Sequence, residues 1–173
     1  MRILVSHYNY MSTRHQELQK AVEYVRRTFA DRRIDLDYDV ESIRHLDKLL
    51  DDEFKNGRLK NSDGGFAKFQ GLIMIGISGY LAQVILKNAP LSKIDIQEED
   101  QSWFINFVVT GTGNRAIQPA KRILKRIQFG NEAGLYPYAI AAIKYFKEQS
   151  TEMPPDDFLT PPEQSKKPWW KFW

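Results

Sequence analysis

Leu72-Ile-Met-Ile-Gly-Ile-Ser-Gly-Tyr-Leu-Ala-Gln-Val-Ile-Leu86 is the stretch on which the fold turns. It lies within residues 66–87, the most apolar part of the chain. A membrane-spanning helix needs about 20 apolar residues with few polar interruptions. Here Gln70, Ser78 and Gln83 interrupt the run, and Lys68 and Lys87 bound it. The reading is a buried core helix and no transmembrane segment. Gly76 and Gly79 lower helix propensity. Their expected use is to let another element cross closely.

Outward from that helix the chain alternates in kind. On its N-terminal side, residues 13–30 carry Leu18, Val22, Val25 and Phe29 at helical spacing. Thr13 and Gln16 fit a capping box. Residues 40–55 predict a second helix with Val40, Ile43, Leu46, Leu50 and Phe54 on one face, and Asp39 as its N-cap. Residues 56–65 are a loop by composition. On the C-terminal side the period drops to two. Ile94 and Ile96, then Trp103, Ile105, Phe107 and Val109, alternate with their neighbours, and 115–118 make a short third strand. Pro119 suits a helix first turn with Ile123, Leu124 and Ile127 inward, and Gly130 its C-terminal cap. A last helix runs over 135–147.

These readings make the chain α+β: four to five helices packed against a small antiparallel three-stranded meander. Its 173 residues suggest one domain over 1–150, with 1–12 an added or edge segment and Met11 a second candidate start. After Ser150 the character changes. Residues 153–173 hold five of the eight prolines and three of the four tryptophans, which reads as a Pro-rich extended linker and an aromatic, basic tail over 151–173.

Cysteine is absent, which excludes disulfides, thiolate nucleophiles and Cys-containing metal sites. The N-terminus lacks the apolar run and cleavage site of a signal peptide, so a cytoplasmic protein is expected. The net charge is +3. From Glu152 onward there are four acids and three lysines, so residues 1–151 carry +4. That is mildly basic and speaks against a nucleic-acid partner.

Several short motifs invite a chemical reading. Gly111-Thr-Gly-Asn-Arg-Ala116 matches a dinucleotide fingerprint, but no second parallel strand follows and Pro119 delays the helix past the glycines. A hairpin turn is expected there instead. Asp35, Asp37 and Asp39 begin like a calcium loop, but Val40 and Leu46 stand where Gly and Glu are needed. Ser78 lacks the second glycine of a nucleophile elbow, because position 80 is Tyr. His7, His15 and His45 lie in separate segments and make no metal-binding spacing. Asp51, Asp52 and Glu53 read as a solvated helix end. No catalytic residue, metal or cofactor is assigned.

Two features remain. Lys121, Arg122, Lys125 and Arg126 gather at i, i+1, i+4 and i+5, which places four cations on one helix face. Such a face binds an acidic partner, or it is a solvated exterior with Ile123 and Ile127 inward. The second is Lys166-Lys-Pro-Trp-Trp-Lys-Phe-Trp173. Trp169, Trp170, Phe172 and Trp173 interleaved with Lys171 suit docking on the chain's own domain or a sister subunit, a separate protein, or an anionic membrane surface.

Leu36-Asp-Tyr-Asp-Val-Glu-Ser-Ile-Arg-His-Leu-Asp47, Gly79-Tyr-Leu-Ala-Gln-Val-Ile85, the segment with Trp103, and Pro119-Ala-Lys-Arg-Ile-Leu-Lys-Arg-Ile127 with Gly130 come in a telling order. That order resembles uncharacterised bacterial domains of unknown function, over about residues 15–147. The resemblance implies a compact α+β fold and no activity. Those domains carry Gly-Glu where this chain has Ala82-Gln83. The leading expectation is a non-enzymatic binding or adaptor protein of the bacterial cytoplasm. The alternatives are a small enzyme with polar residues such as Asp63, Asn114 and Arg115 on the loops 56–65 and 110–118, and reversible membrane-surface association through 166–173.

Overall fold

The computed structural model describes residues 13–112 and 115–147. Among them are seven helices and two small antiparallel sheets, an α+β arrangement. The first helix, α1 (Thr13–Ala30), buries Leu18, Ala21, Val22, Val25 and Phe29, the stripe expected from its periodicity. It ends in a left-handed turn at Arg33, where the Ile34 and Arg33 N–H groups bond the carbonyls of Phe29 and Ala30.

A helix over 40–55 capped by Asp39 is not what forms. Val40–Ser42 make a 3-10 turn, and α2 (Ile43–Glu53) follows. The Asp39 side chain makes no cap; its carbonyl accepts the Ser42 N–H and Oγ–H instead. After Glu53 the chain turns into a hairpin, β1 (Phe54–Lys55) against β2 (Arg58–Leu59). Asn56 and Gly57 connect them with φ of 49° and 75°. Positive φ at both central residues is the turn that Asn-Gly favours, so part of the supposed loop is ordered by local chemistry.

The apolar helix is also shorter than its hydropathy suggests. A single turn, α3 (Gly65–Lys68), is separated from α4 (Gln70–Asn88) by Phe69, which leaves helical geometry at φ −118° and ψ 18°. By length and composition α4 is apolar enough to cross a membrane, but 61% of it is buried inside the domain. It packs on α1 most extensively, and also on α6 (Pro119–Phe129) and α7 (Leu135–Lys147). The crossing with α1 occurs at the two glycines. A Cβ on Gly76 would stand 2.4 Å from the Ala21 carbonyl oxygen, and one on Gly79 2.6 Å from Val22 Cγ2. Leu18 also abuts Gly79 and Val25 abuts Gly76, so the two helices run antiparallel.

One buried polar chain ties the 38–42 segment to α4. Tyr80 is fully buried. Its oxygen accepts the Tyr38 N–H at 2.8 Å and lies 2.6 Å from Ser42 Oγ. Ser42 Oγ–H is donated to the Asp39 carbonyl, so the Tyr80 hydroxyl donates to Ser42. Burial raises the Tyr80 phenol above its ordinary value, against the hydrogen bond that its oxygen accepts from the Tyr38 N–H. A raised folded value means that this stability is whole below the unfolded phenol value near 10, and is lost as pH rises through the folded value. The urea midpoint of the wild type is therefore expected to fall faster between pH 9 and 11 than that of Tyr80→Phe. Parallel slopes for the two proteins would refute this role of Tyr80.

The second sheet has the order β3 (Lys93–Asp95), β4 (Val108–Thr110), β5 (Ala116–Ile117), all antiparallel. Ile94 faces Val109, and Val109 faces Ile117. The alternating strand expected from Trp103 onward begins only at Val108. Residues Trp103–Asn106 form a helical turn, α5. Asp100 causes this: its carboxylate accepts the Ser102 N–H at 2.7 Å and the Asn106 side chain at 2.8 Å. Such local bonds compete with a sheet ladder. Those two hydrogen bonds, Asn106 first, hold the Asp100 carboxyl below its ordinary value. Trp103 and Phe107 are both buried, and a spacing of four satisfies a helical turn as well as a strand.

The expected hairpin at Gly111 is the β4–β5 connection, with the Gly111 N–H on the Arg115 carbonyl. Residues 113 and 114 lie outside the described set. Gly111 sits directly under Phe146 of α7, where a Cβ would stand 2.4 Å from the ring. The core is mainly interhelical; the short sheet adds Val109 and Ile117 to one edge of it, and Ile96 joins them just past β3.

Candidate functional site

A groove opens where the end of α1, the end of α2 and the start of α4 come together. It encloses about 380 Å³, within the range of small ligand pockets. Its walls are apolar and aromatic. Val25 and Phe29 come from α1, Leu49 from α2, Phe66 from α3 and Ile73 from α4. Phe66 is fixed by an edge-on contact with Phe54, 5.4 Å between centroids. The break between α3 and α4 puts Phe69 at the mouth, 44% exposed, tilted against Tyr24 at 6.0 Å. Lys68 Nζ lies 5.6 Å from the Phe69 ring, and Leu72, one turn into α4, is 38% exposed.

The polar lining comes from opposite sides. Thr28 and Arg32 belong to α1 and the turn after it; Glu53 ends α2; Asn61 and Gly64 lie on the loop before α3, and Gly65 opens α3. Asn61 Oδ1 holds the Asp63 N–H at 3.1 Å, and Gly64 passes so near Asn61 that a Cβ would lie 3.0 Å from its Nδ2. The result is an apolar floor with one cation and one carboxylate on the lining. It suits an aromatic or aliphatic side chain whose polar edge meets Glu53 or Asn61, and whose ring face meets Arg32.

The four basic residues of α6 are placed otherwise than on a solvated exterior. Arg122, Lys125 and Arg126 are 7%, 9% and 2% exposed, and Lys121 is half-buried. The cause lies outside α6. Arg126 enters the interface with α2, with Nε 2.7 Å from Asp47 Oδ1 and Nη2 2.6 Å from Asp51 Oδ1. Asn131 supplies a further acceptor at 2.9 Å. Burial works against the charge of Arg126, but the two carboxylates outweigh it and hold the guanidinium above its ordinary value. Asp47 also accepts the Leu135 and Tyr136 N–H groups at 2.9 Å, and so caps α7. Arg122 donates to the Gly134 carbonyl at 3.1 Å and lies 4.9 Å from the Tyr138 ring. These contacts build the α2–α6–α7 corner.

Other candidates fall into structural roles. Ser78 Oγ–H is donated to the Met74 carbonyl inside α4. Asp37 accepts the Asp39 N–H in a local turn. Asp63 is exposed beside the groove. Arg115 immediately precedes β5, donating to the Tyr145 carbonyl with its guanidinium 5.0 Å from that ring. His45 is exposed and His15 half-buried. Among the described residues no three His, Asp or Glu converge as a metal site. His7, Asn114, Trp169, Trp170, Lys171, Phe172 and Trp173 lie outside the described residues.

On the surface, Tyr136 donates to Glu41, whose other oxygen pairs with Arg44 at 2.7 Å. The Tyr136 bond first, then Arg44, lowers the Glu41 carboxyl below its usual range. The groove residues Tyr24, Arg32, Glu53 and Phe69 were not legible as a set. Tyr24 sits off the buried stripe of α1, and an aromatic there is the only sequence signal. Comparison with known proteins finds no matching family model, no matching curated protein and no matching solved structure.

Proposed function

We propose that this chain is a non-enzymatic binding protein. Its receptor surface is the groove between α1, α2 and α4, and its second recognition element is the Lys- and Trp-rich segment 166–173. The observation that carries the reading is the groove's construction. Phe69 stands half-exposed at the mouth above the buried floor residues Val25, Phe29, Leu49, Phe66 and Ile73, with Arg32 and Glu53 on the lining. Large aromatic contact surfaces with a few polar groups are what dominate binding energies at protein interfaces. The partner class that fits is a polypeptide segment carrying an aromatic anchor. The basic face of α6 plays a smaller part than its charge suggests, because Arg122, Lys125 and Arg126 are spent on intramolecular contacts.

The test is affinity capture from a cell lysate with three full-length baits: wild type, Phe69→Glu, and Trp169→Ala/Trp170→Ala/Trp173→Ala. Phe69 is half-exposed, so its replacement leaves the core intact. A protein retained by wild type and depleted at least tenfold by Phe69→Glu is the expected result. Loss with the tryptophan variant as well would enlist the tail in the same recognition. Equal retention by all three baits would overturn the reading.

A further inference from the structure

The groove has a candidate occupant in its own chain. We propose that residues 166–173 fold back and seat a tryptophan in the groove of the same molecule, so that a partner must displace the tail in order to bind. The inference rests on the groove being the receptor surface, and adds what fills it in the free protein.

The first argument is chemical match. The groove offers aromatic walls at Tyr24 and Phe69, and an aliphatic floor at Ile73. The segment carries Trp169, Trp170, Phe172 and Trp173 within five positions. An indole buries its ring and keeps one N–H, for which the Glu53 carboxylate on the lining is an acceptor. Arg32, also on the lining, meets the ring as a cation on a π face.

The second is charge. Lys166, Lys167 and Lys171 flank the aromatics. Beside the groove, Asp52 precedes Glu53 and Asp63 precedes Gly64, and both aspartates are exposed. Asp51 is already committed to Arg126. Arg32, Lys68 and Lys60, whose N–H bonds the Glu53 carbonyl, are the opposing cations, and Lys68 lies next to the Phe69 ring, which an indole can share.

The third is reach. Residues 148–165 separate α7 from Lys166. A Pro-rich chain spans about 3.1 Å per residue, so these reach roughly 55 Å. A domain of this size has a radius of gyration of about 14 Å, so every point on its surface is accessible to the segment. Tethering at that length gives an effective concentration on the order of millimolar. A second copy at micromolar concentration does not compete.

Fluorescence tests this on the full chain. Trp103 is the only tryptophan outside the tail, so Trp103→Phe leaves Trp169, Trp170 and Trp173 as the only emitters. The expected emission is blue-shifted from the denatured chain, with acrylamide quenching at least threefold weaker. Phe69→Glu on the same background should restore most of the hydrated emission and quenching. If Trp103→Phe does not fold, the difference spectrum between wild type and Trp169→Phe/Trp170→Phe/Trp173→Phe reports the same indoles. Fully hydrated emission, or shielded emission that Phe69→Glu leaves unchanged, would overturn the docking. A signal that weakens on hundredfold dilution would replace the same chain by a second copy and overturn the proposal as stated. Hydrated tail indoles together with Phe69-dependent partner capture would remove the tail occupant alone. Hydrated indoles with no such capture would remove the groove reading as well.

Discussion

Asp47→Ala is expected to lower the unfolding free energy by about 3–4 kcal/mol, read as a shift of the urea midpoint. Asp47 accepts from Arg126 and from the Leu135 and Tyr136 N–H groups. Removing one partner of a buried ion pair costs about 3–5 kcal/mol, because the other charge stays buried. Here Asp51 and Asn131 still hold Arg126, which reduces that figure. Loss of a helix cap adds about 1 kcal/mol, and Leu135 is fully buried, so water does not replace the lost acceptor. Arg126→Met in the Asp47→Ala background should recover part of the loss, since it removes the charge that Asp47 left behind. A double variant whose destabilisation equals the sum of the two singles would show that the residues are not coupled in this way.

Gly76→Ala is the second large effect, with an expected net loss of about 2 kcal/mol. The added methyl meets the Ala21 carbonyl oxygen at 2.4 Å and Val25 Cγ2 at 2.5 Å. The first contact is backbone, so relief requires α1 and α4 to separate, and overpacking of this kind costs about 1–3 kcal/mol or more. Helix propensity acts in the opposite direction by about 1 kcal/mol and is outweighed. Gly71→Ala is the internal control. Gly71 lies on the same helix with nothing within 4 Å of its added Cβ. That variant should hold or gain stability, by up to about 1 kcal/mol. Thermal denaturation of the two variants side by side checks the pair, and equal behaviour would mean that the close crossing is not under compression.

The helices were legible because their signals are local. Leu18, Val22, Val25 and Phe29 recur at 3.6 residues whatever they pack against, and Pro119 and Gly130 bound α6 through their own backbone preferences. The use of Gly76 and Gly79 was legible too: two glycines in an apolar helix imply a neighbour at close range, and α1 is that neighbour. Residues 103–107 read as strand yet fold as a helical turn, because Trp103 and Phe107 fit both periods and Asp100 decided between them.

The apolar part of the face that α6 turns inward was legible in Ile123, Leu124 and Ile127, but its charged part was not. Its charges look solvated when α6 is read alone, and become interior only because Asp47 and Asp51, 79 and 75 positions away, wait on α2. The groove depends in the same way on three helix ends that meet across the chain. Sequence alone therefore determined where the long helices lie and where α4 must be approached closely, since spacing and backbone preference act within a few residues. Only the tertiary structure decided which charges are buried and where an aromatic surface stays open, since desolvation and ion pairing depend on partners that the local sequence does not name.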